Sequence, residues 1–544
     1  MANERITDGI VRDHFKANAL SKSVKWEEQK SGNKRITELL KGKSKGGGNG
    51  NGYPDYFGNF IYVFSLSAII LLSFFLYSSR FYALLNSDDA LNILMAHYYK
   101  LPKDFYCWGQ DRGGTLIPLL SQFFIKTFGC SALLSVSFSN YIILVLGFLG
   151  LSSLIKSRYY KIIFAIVWFL PFQRFIDITR FPIGVEYSLL GIAIFLISKI
   201  EDLPQTTNTL KKHVLLILTV LVLVVSVWVS DLSIVSIIIL IFVLVLFNFI
   251  KNKSLKLDKT AVCYAIAGAI LCFLFIRFAK SFAVVKTEHY LTINGLSQIK
   301  QAFVILKNAF LDVLLFKKKE LFVGIYTYVA IIFFVFFAIK IFRKPILKRI
   351  ISNKWTLFFI LDLITIFIVI ILSSWVLANK MGRWYFVSTY ISLSVTVILI
   401  LDNLKVNNKS NILKYGILCL VLIGAISPIH TMKYVYPKRL TPKADVVGEF
   451  RQLGEIGVIA EYWNSYSTSC PVPDLIIATP HDKSDVKNRQ LVDMVFEREN
   501  IYVIKDMWMD TFPDTLYQFG YVLLKSGEPF NIGNCDVCKY DKAK

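Results

Sequence analysis

Long apolar stretches separated by short, mostly basic polar runs dominate the chain. About eleven such stretches are read, at 58–78, 131–155, 160–176, 184–199, 213–229, 232–250, 261–279, 321–342, 355–378, 384–402 and 413–431. Each is near the ~20 residues that cross a bilayer core, and 160–176 and 184–199 are the shortest. Two polar intervals are long, at about 79–130 and 280–320. After residue 432 the texture changes. Ala444–Leu453 reads as an amphipathic helix, Gly457–Ala460, Leu475–Thr479, Ile501–Ile504 and Tyr521–Leu524 as short strands, and Val486–Glu499 as a helix between two of them. Strands alternating with helices make a layered α/β unit. The pattern therefore predicts a polytopic α-helical membrane protein with a small C-terminal α/β domain.

Composition agrees: of 544 residues, 55% are hydrophobic and 15% aromatic. The formal charge of +23 would suggest nucleic acid, but Lys and Arg sit in runs between apolar stretches, where they orient helices. Alternate loops carry Lys156, Arg158 and Lys161; Lys199, Lys211 and Lys212; Lys251–Lys259; Lys340–Lys354; and Lys405–Lys414. The short intervening loops hold only Arg174, Arg180, Lys380 and Arg383. This bias predicts a cytoplasmic N-terminus and an extracytoplasmic C-terminus in the cytoplasmic membrane. The expected division is a flexible cytoplasmic arm at 1–57, a membrane domain at 58–431 with its first outer loop at 79–130, and an extracytoplasmic α/β domain at 432–544. The arm ends in the Gly-rich Lys43–Gly52, a linker by composition, with a short helix conceivable at Arg35–Leu40.

The outer loop 79–130 carries the chemistry. Asn86-Ser87-Asp88-Asp89-Ala90 places two adjacent carboxylates beside an apolar span, where charge is costly unless it faces water or has a task. Ser87 is a good N-cap and the two acids suit the first turn of a helix. Leu91, Leu94, Met95 and Tyr98 follow at helical spacing, as a helix on the membrane surface would require. The plain alternative is that the acids merely start that helix, although one cap would suffice. Next come Trp108-Gly109-Gln110-Asp111-Arg112-Gly113-Gly114 and an apolar run, Leu116–Phe128, too short to span. Gly113-Gly114 allows close approach of backbone to a ligand or another helix, and Asp111-Arg112 is either a local ion pair or part of a site.

In this order (a first span, an outer acidic pair, a surface helix, Trp108-Gly109-Gln110, the Pro118-Leu119 helix and a closing Phe128-Gly129) the chain resembles the GT-C glycosyltransferases, on the protein mannosyltransferase and aminoarabinose-transferase side. The resemblance covers about 80–130. The usual Asp-Glu reads Asp88-Asp89 here, and of the usual Pro-Pro only Pro118 remains. It implies an inverting enzyme that moves a hexosyl or pentosyl unit from a polyprenyl-phosphate donor to an extracytoplasmic protein, lipid or glycan.

Such a transfer needs a base for the incoming hydroxyl, cations for the phosphate leaving group and an apolar groove for the lipid. A positioned carboxylate serves as general base; Asp88 is the first choice, with Asp89 orienting the acceptor or sharing the role. Cations stabilise the developing phosphate charge, and the candidates are Arg383, Lys380, Arg180, Arg174 and Arg112. Arg383-Trp384-Tyr385 stands out as a cation with two aromatics at the outer end of a span, the alternative being an interfacial anchor. Glu186, just inside an apolar stretch, is either functional or a partner for Arg180. His289, in Glu288-His289-Tyr290, either holds the acceptor or is a plain surface histidine. The lone Cys535-Asp536-Val537-Cys538 is too little for zinc. A disulfide from Cys470 to Cys535 or Cys538 is conceivable in an oxidising compartment. Scattered carboxylates could hold a divalent metal, but this is the less favoured reading. Two rivals remain. A polysaccharide polymerase or ligase would centre on a late outer loop rich in Arg and His. A transporter or flippase would show charged or broken midplane helices and an internal repeat.

Overall fold

The computed structural model describes residues 56–543 apart from 109, 181, 205–208, 254–257, 284–291, 318–319, 343–349, 405–410 and 436–439. The N-terminal linker and the helix expected at Arg35–Leu40 lie outside the described residues, as do His289 and its neighbours Glu288 and Tyr290.

The helices in chain order are α1 (Tyr56–Tyr77), α2 (Ser87–His97), α3 (Leu116–Phe128), α4 (Ala132–Ser152), α5 (Arg158–Phe169), α6 (Pro182–Glu201), α7 (Thr209–Val229), α8 (Ser233–Asn252), α9 (Lys259–Lys280), α10 (Leu296–Leu314), α11 (Leu321–Ile341), α12 (Lys354–Leu372), α13 (Ser374–Ala378), α14 (Val387–Asn403) and α15 (Asn411–Val435). Among the described residues, ten helices are long and apolar enough to cross a membrane, or eleven if one bent pair is a single span. Expectation and structure agree on a multi-span helical fold. Two spans break, however. The stretch expected at 160–176 turns by 92° between α5 and a 3-10 segment, Gln173–Thr179. Pro171 explains the turn: it cannot donate the next helical hydrogen bond and it disfavours helical backbone at Leu170, which sits at φ −123°, ψ 59°. The stretch expected at 355–378 ends at Leu372, where Ser373 is extended and caps α13. Asn294 Nδ2 donates to the Ile371 and Ser373 carbonyls at that break.

Helices α4 and α6 cross closely, because Gly150 meets Gly191: a Cβ on Gly150 would lie 2.4 Å from the Gly191 carbonyl oxygen. Small residues permit such crossings within a membrane. At one end of the bundle Lys156 and Ser157 donate backbone N–H groups to Asp402, and Lys354 pairs with Glu201. Lys156 and Lys354, two of the basic residues expected on the cytoplasmic side, therefore stand at that end. The loops bearing the candidate site gather at the other.

The C-terminal unit continues with α16 (Lys443–Val447), β1 (Ile456–Ala460), α17 (Tyr462–Ser469), β2 (Ile476–Pro480), α18 (Arg489–Glu497), β3 (Asn500–Ile504), β4 (Thr515–Gln518), β5 (Tyr521–Lys525), β6 (Phe530–Ile532) and β7 (Cys535–Lys542). The sheet order is β2-β1-β3-β7-β5-β4, with β6 on β7. The first three strands are parallel and the others antiparallel. β1 and the edge strand β2 are buried along their whole length, as parallel strands covered on both faces must be. On one face Tyr466, Cys470, Leu491, Val492 and Val495 form a core. On the other, Phe450 packs on Ile456, Val458, Ala478 and Val537. Cys535 and Cys538 belong to these opposite faces, since residues three apart in a strand point apart. They therefore do not converge on one metal, and all eight cysteines are free.

The first core has an unexpected member. Leu85, Ala90, Leu91, Leu94 and Met95 belong to it with Tyr462 and Tyr466. Helix α2 is thus buried under the C-terminal unit, which covers the apolar face that expectation left to lipid. The second loop helix, α3, keeps an exposed apolar face with Phe123 and Phe128.

Candidate active site

Helix α2 opens at Asn86, one residue before the expected cap: Asn86 Oδ1 accepts the Asp89 N–H at 3.0 Å. This frees the Ser87 hydroxyl, which donates instead to the Tyr462 carbonyl. The two acids then occupy the first turn, where the helix dipole favours negative charge.

Asp88 turns toward the C-terminal unit. The Tyr462 hydroxyl donates to Asp88 Oδ1 at 2.6 Å. Burial raises the Asp88 pKa above the usual carboxylate value, opposed first by that hydrogen bond and then by Lys487. Tyr462 is pushed far up by burial and by Asp88, so it stays protonated and is the donor. Asp89 turns into the bundle. It is 4% exposed and pairs with Arg180 Nη1 at 2.6 Å. Burial pushes its pKa up to about 6, and Arg180 pulls the other way. Burial also works against the Arg180 charge, but Asp89, Tyr82 and Asp177 outweigh it and hold that pKa above the ordinary arginine value. The Arg180 guanidinium lies 3.9 Å from the Tyr82 ring centroid.

From Asp89 a chain of charges crosses the end of the bundle. Arg180 Nη2 reaches Asp177 Oδ1 at 3.3 Å, and Asp177 Oδ2 receives Arg383 Nη1 at 2.6 Å. Arg383 also donates to the Arg174 carbonyl at 2.9 Å, while the Arg174 side chain pairs with Glu320. The bend after Pro171 makes this possible, by laying 173–180 across the bundle end. Arg383 is 37% exposed, which leaves part of its guanidinium open. Arg112 donates to Gln110 Oε1 at 2.9 Å and lies 5.0 Å from the Trp375 ring centroid. It faces Tyr385 and Asp88, and burial lowers its pKa.

The structure thus brings together Asp88, Asp89, Arg180, Arg383, Arg174, Arg112 and Tyr385. Asp111 stands beside Arg112, half-exposed. Lys380 is exposed at the rim of the same turn. Glu186 lies apart, 1% exposed near Ser230 and Ser233; the expectation that it partners Arg180 is corrected, because Asp89 and Asp177 take that place. Gly114 lies close against the end of α7: a Cβ there would meet the Trp228 carbonyl oxygen at 2.3 Å. Two site residues escaped sequence reading. Asp177 carried a signal, as an acid between Arg174 and Arg180. Tyr462, 374 positions from Asp88, carried none.

Two concavities adjoin the site. A small pocket with a cavity volume of about 30 Å³ is lined by Asp89, Asn92, Gly114, Asn140 and Arg180 among others. An apolar groove with a cavity volume of about 380 Å³ is lined by Phe175, Tyr326, Phe333, Phe367, Phe386 and Tyr390 among others. Phe175 follows Arg174 and Phe386 lies three residues past Arg383, so part of the groove lining is contiguous in sequence with the charged turn. Among the described residues, no group of three or more His, Cys, Asp or Glu stands close enough to hold a metal ion.

Solved structures share the fold. ArnT from Cupriavidus metallidurans bound to undecaprenyl phosphate superposes with a TM-score of 0.51 at 10% identity, covering 89% of this chain and 98% of that one. Its apo state gives 0.51 at 9% identity, with the same coverage. The chain has the GT-C fold. The GT-C likeness read from residues 80–130 therefore extends over nearly the whole chain at the level of fold. Archaeal oligosaccharyltransferase AglB from Archaeoglobus fulgidus, in complex with an inhibitory peptide and a dolichol-phosphate, gives a TM-score of 0.41 at 12% identity, covering 83% of this chain and 70% of that one. No family model and no curated protein matches the sequence.

Proposed function

We propose that this chain is an integral-membrane glycosyltransferase that moves one sugar from a polyprenyl-phosphate donor to an extracytoplasmic hydroxyl. The observation that carries the reading is the junction at Arg383. There, a half-exposed guanidinium stands three residues before Phe386, which lines an apolar groove, and is linked through Asp177 and Arg180 to the carboxylate pair. The GT-C fold, shared with an ArnT structure bound to undecaprenyl phosphate, supports it.

In this reading the groove takes the polyprenyl tail, and Arg383, with Arg174 and Lys380 beside it, receives the phosphate. Arginine suits a phosphate because its fork matches two oxygens. The acceptor oxygen attacks the anomeric carbon, and the sugar–phosphate C–O bond breaks with its electron pair leaving on the phosphate. Asp88 takes the hydroxyl proton, and the anomeric configuration inverts. Asp89 fixes the helix start through Arg180. The N-terminus is cytoplasmic, and the site and residues 432–544 face outward, as the basic-loop bias supports.

The test uses the full chain in nanodiscs with radiolabelled polyprenyl-phosphate sugars, hexose and pentose in turn. Envelope glycans are analysed by mass spectrometry after deletion of the gene. Consumption of one donor by the wild type and not by Asp88→Asn is expected. Full activity of Asp88→Asn, or cysteine labelling that places residue 88 on the cytoplasmic side, would overturn the reading.

A further inference from the structure

The C-terminal unit grips the first turn of α2 with a reciprocal pair of bonds. The Ser87 hydroxyl donates to the Tyr462 carbonyl, and the Tyr462 hydroxyl donates to Asp88 Oδ1 at 2.6 Å. Tyr462 opens α17 directly after β1, at the carboxyl end of the parallel strands. In open α/β sheets that edge is where functional groups are presented. Here it is turned onto the candidate base. The Tyr462 ring is 9% exposed, packed edge-on against Tyr466 with centroids 5.8 Å apart. The Tyr466 hydroxyl in turn accepts the Lys487 N–H at 2.9 Å, and Lys487 Nζ lies 5.9 Å from the Tyr462 ring. The phenol is therefore held on both sides by its own domain, and its hydroxyl bonds the carboxylate of another.

We infer that Tyr462 is a positioning residue for Asp88: the C-terminal unit supplies the hydrogen bond that orients the carboxylate and favours its ionised form, so docking of this unit is a condition of transfer. The inference rests on the function proposed above. A hydrogen bond to the charged form of a carboxylate lowers its pKa. The groups facing Asp88 are Asp89 on its own helix, Cys107 and Arg112 from the first loop, and Tyr462, Asp485 and Lys487 from the C-terminal unit. Of these, Tyr462 makes the direct bond and leads the opposition to burial.

The experiment is an infrared titration of carboxyl bands in the full chain in nanodiscs, with the Asp88 band assigned by its loss in Asp88→Asn. It needs no substrate. Tyr462→Phe keeps the ring and removes only the hydroxyl; the Asp88 midpoint is expected to rise by about one pH unit, given the usual strength of a hydrogen bond to a charged group. The acidic limb of the transfer rate moves up by the same amount, and activity recovers at higher pH. Tyr98→Phe is the control. Its hydroxyl also bridges α2 to the C-terminal unit, by donating to the Pro473 carbonyl at 3.0 Å, but it does not touch Asp88. It should leave the midpoint in place. An unmoved midpoint in Tyr462→Phe, or an equal shift in Tyr98→Phe, would overturn the inference. Neither result touches the proposed function, which falls if Asp88→Asn keeps its transfer activity or if residue 88 is labelled from the cytoplasmic side.

Discussion

Asp88 and Asp89 are neighbours on one helix but belong to two regions of the molecule. Successive helical side chains point about 100° apart, so one carboxylate meets the C-terminal unit and the other the membrane bundle. Asp88 has a neutral partner, the Tyr462 phenol. Asp89 has a charged one, Arg180, which is itself tied to Asp177. Burial raises both carboxylates; what separates them is what a proton would cost. Protonating Asp89 takes from a buried guanidinium its 2.6 Å counter-charge. Protonating Asp88 breaks no direct ion pair, since Lys487 and Arg112 act on it only through space. A general base must accept a proton once per turnover, so the phenol-held carboxylate suits the chemistry and the guanidinium-held one suits the scaffold.

The comparison breaks most sharply at the level of activity. Asp88→Asn should lower transfer by about 10²- to 10⁴-fold, the usual worth of a general base, with expression and melting temperature unchanged, since Asn still accepts the Tyr462 hydrogen bond. Asp89→Asn should lose less activity and more stability. Equal loss of activity in both with equal melting would mean that the pair acts as one unit. The pH profile follows from the same geometry. Asp88 works ionised and its pKa is raised by burial, so activity should rise with pH through a limb above the ordinary carboxylate value of about 3.9. A limb at or below that value would show that the base is another group.

Stability should respond chiefly on the bundle side. Arg180→Gln leaves Asp89 buried without its cation and Asp177 with Arg383 alone, and breaking a buried pair costs about 3–5 kcal/mol. A clear fall in the thermal midpoint in detergent is expected, whereas Asp485→Asn, on the C-terminal side, removes an exposed pair with Lys487 and should change stability by less than about 1 kcal/mol. A melting curve for Arg180→Gln that overlays the wild type would refute the scaffold role.

How much of this was legible in the sequence depends on range. The spans, the loop bearing Asp88-Asp89 and the cationic turn at Arg383 were readable, because hydropathy and charge act locally. Helices α16 and α18 and strands β1, β2, β3 and β5 were placed by pattern to within a few residues. β4, β6 and β7 were not, because their partly exposed, polar residues lack an apolar run. Cys535–Lys542 drew attention as a metal spacing and is a strand whose cysteines face apart. The bend at Pro171 was written in one residue but submerged by the apolar count on either side. Docking of the C-terminal unit on α2 was out of reach. Leu91, Leu94 and Met95 read as a lipid-facing stripe because the hydrophobic effect does not say what covers an apolar face, and nothing local to Tyr462 points to Asp88.

The smallest expected effects lie where the bundle side meets the groove, and they separate geometry from charge. Arg383 is anchored by Asp177 and the Arg174 carbonyl with part of its fork still open. Arg383→Lys keeps the charge and loses the second contact with a phosphate, so the KM for a polyprenyl-phosphate sugar should rise about tenfold, the worth of one charge-assisted hydrogen bond. Lys380, three residues earlier and exposed, offers a screened charge on a flexible stem; Lys380→Ala should raise KM about twofold, with the effect fading at high salt. Neither should shift the acidic limb that Asp88 sets, because neither faces that carboxylate. Measuring KM for a long-chain and a short-chain donor in both variants completes the separation. If Arg383 binds the phosphate beside the groove lined by Phe175 and Phe386, its loss should weaken both donors equally. A penalty confined to the long-chain donor would mean that Arg383→Lys had disturbed the groove, and the phosphate would then have to sit elsewhere along the chain from Asp89 to Arg174.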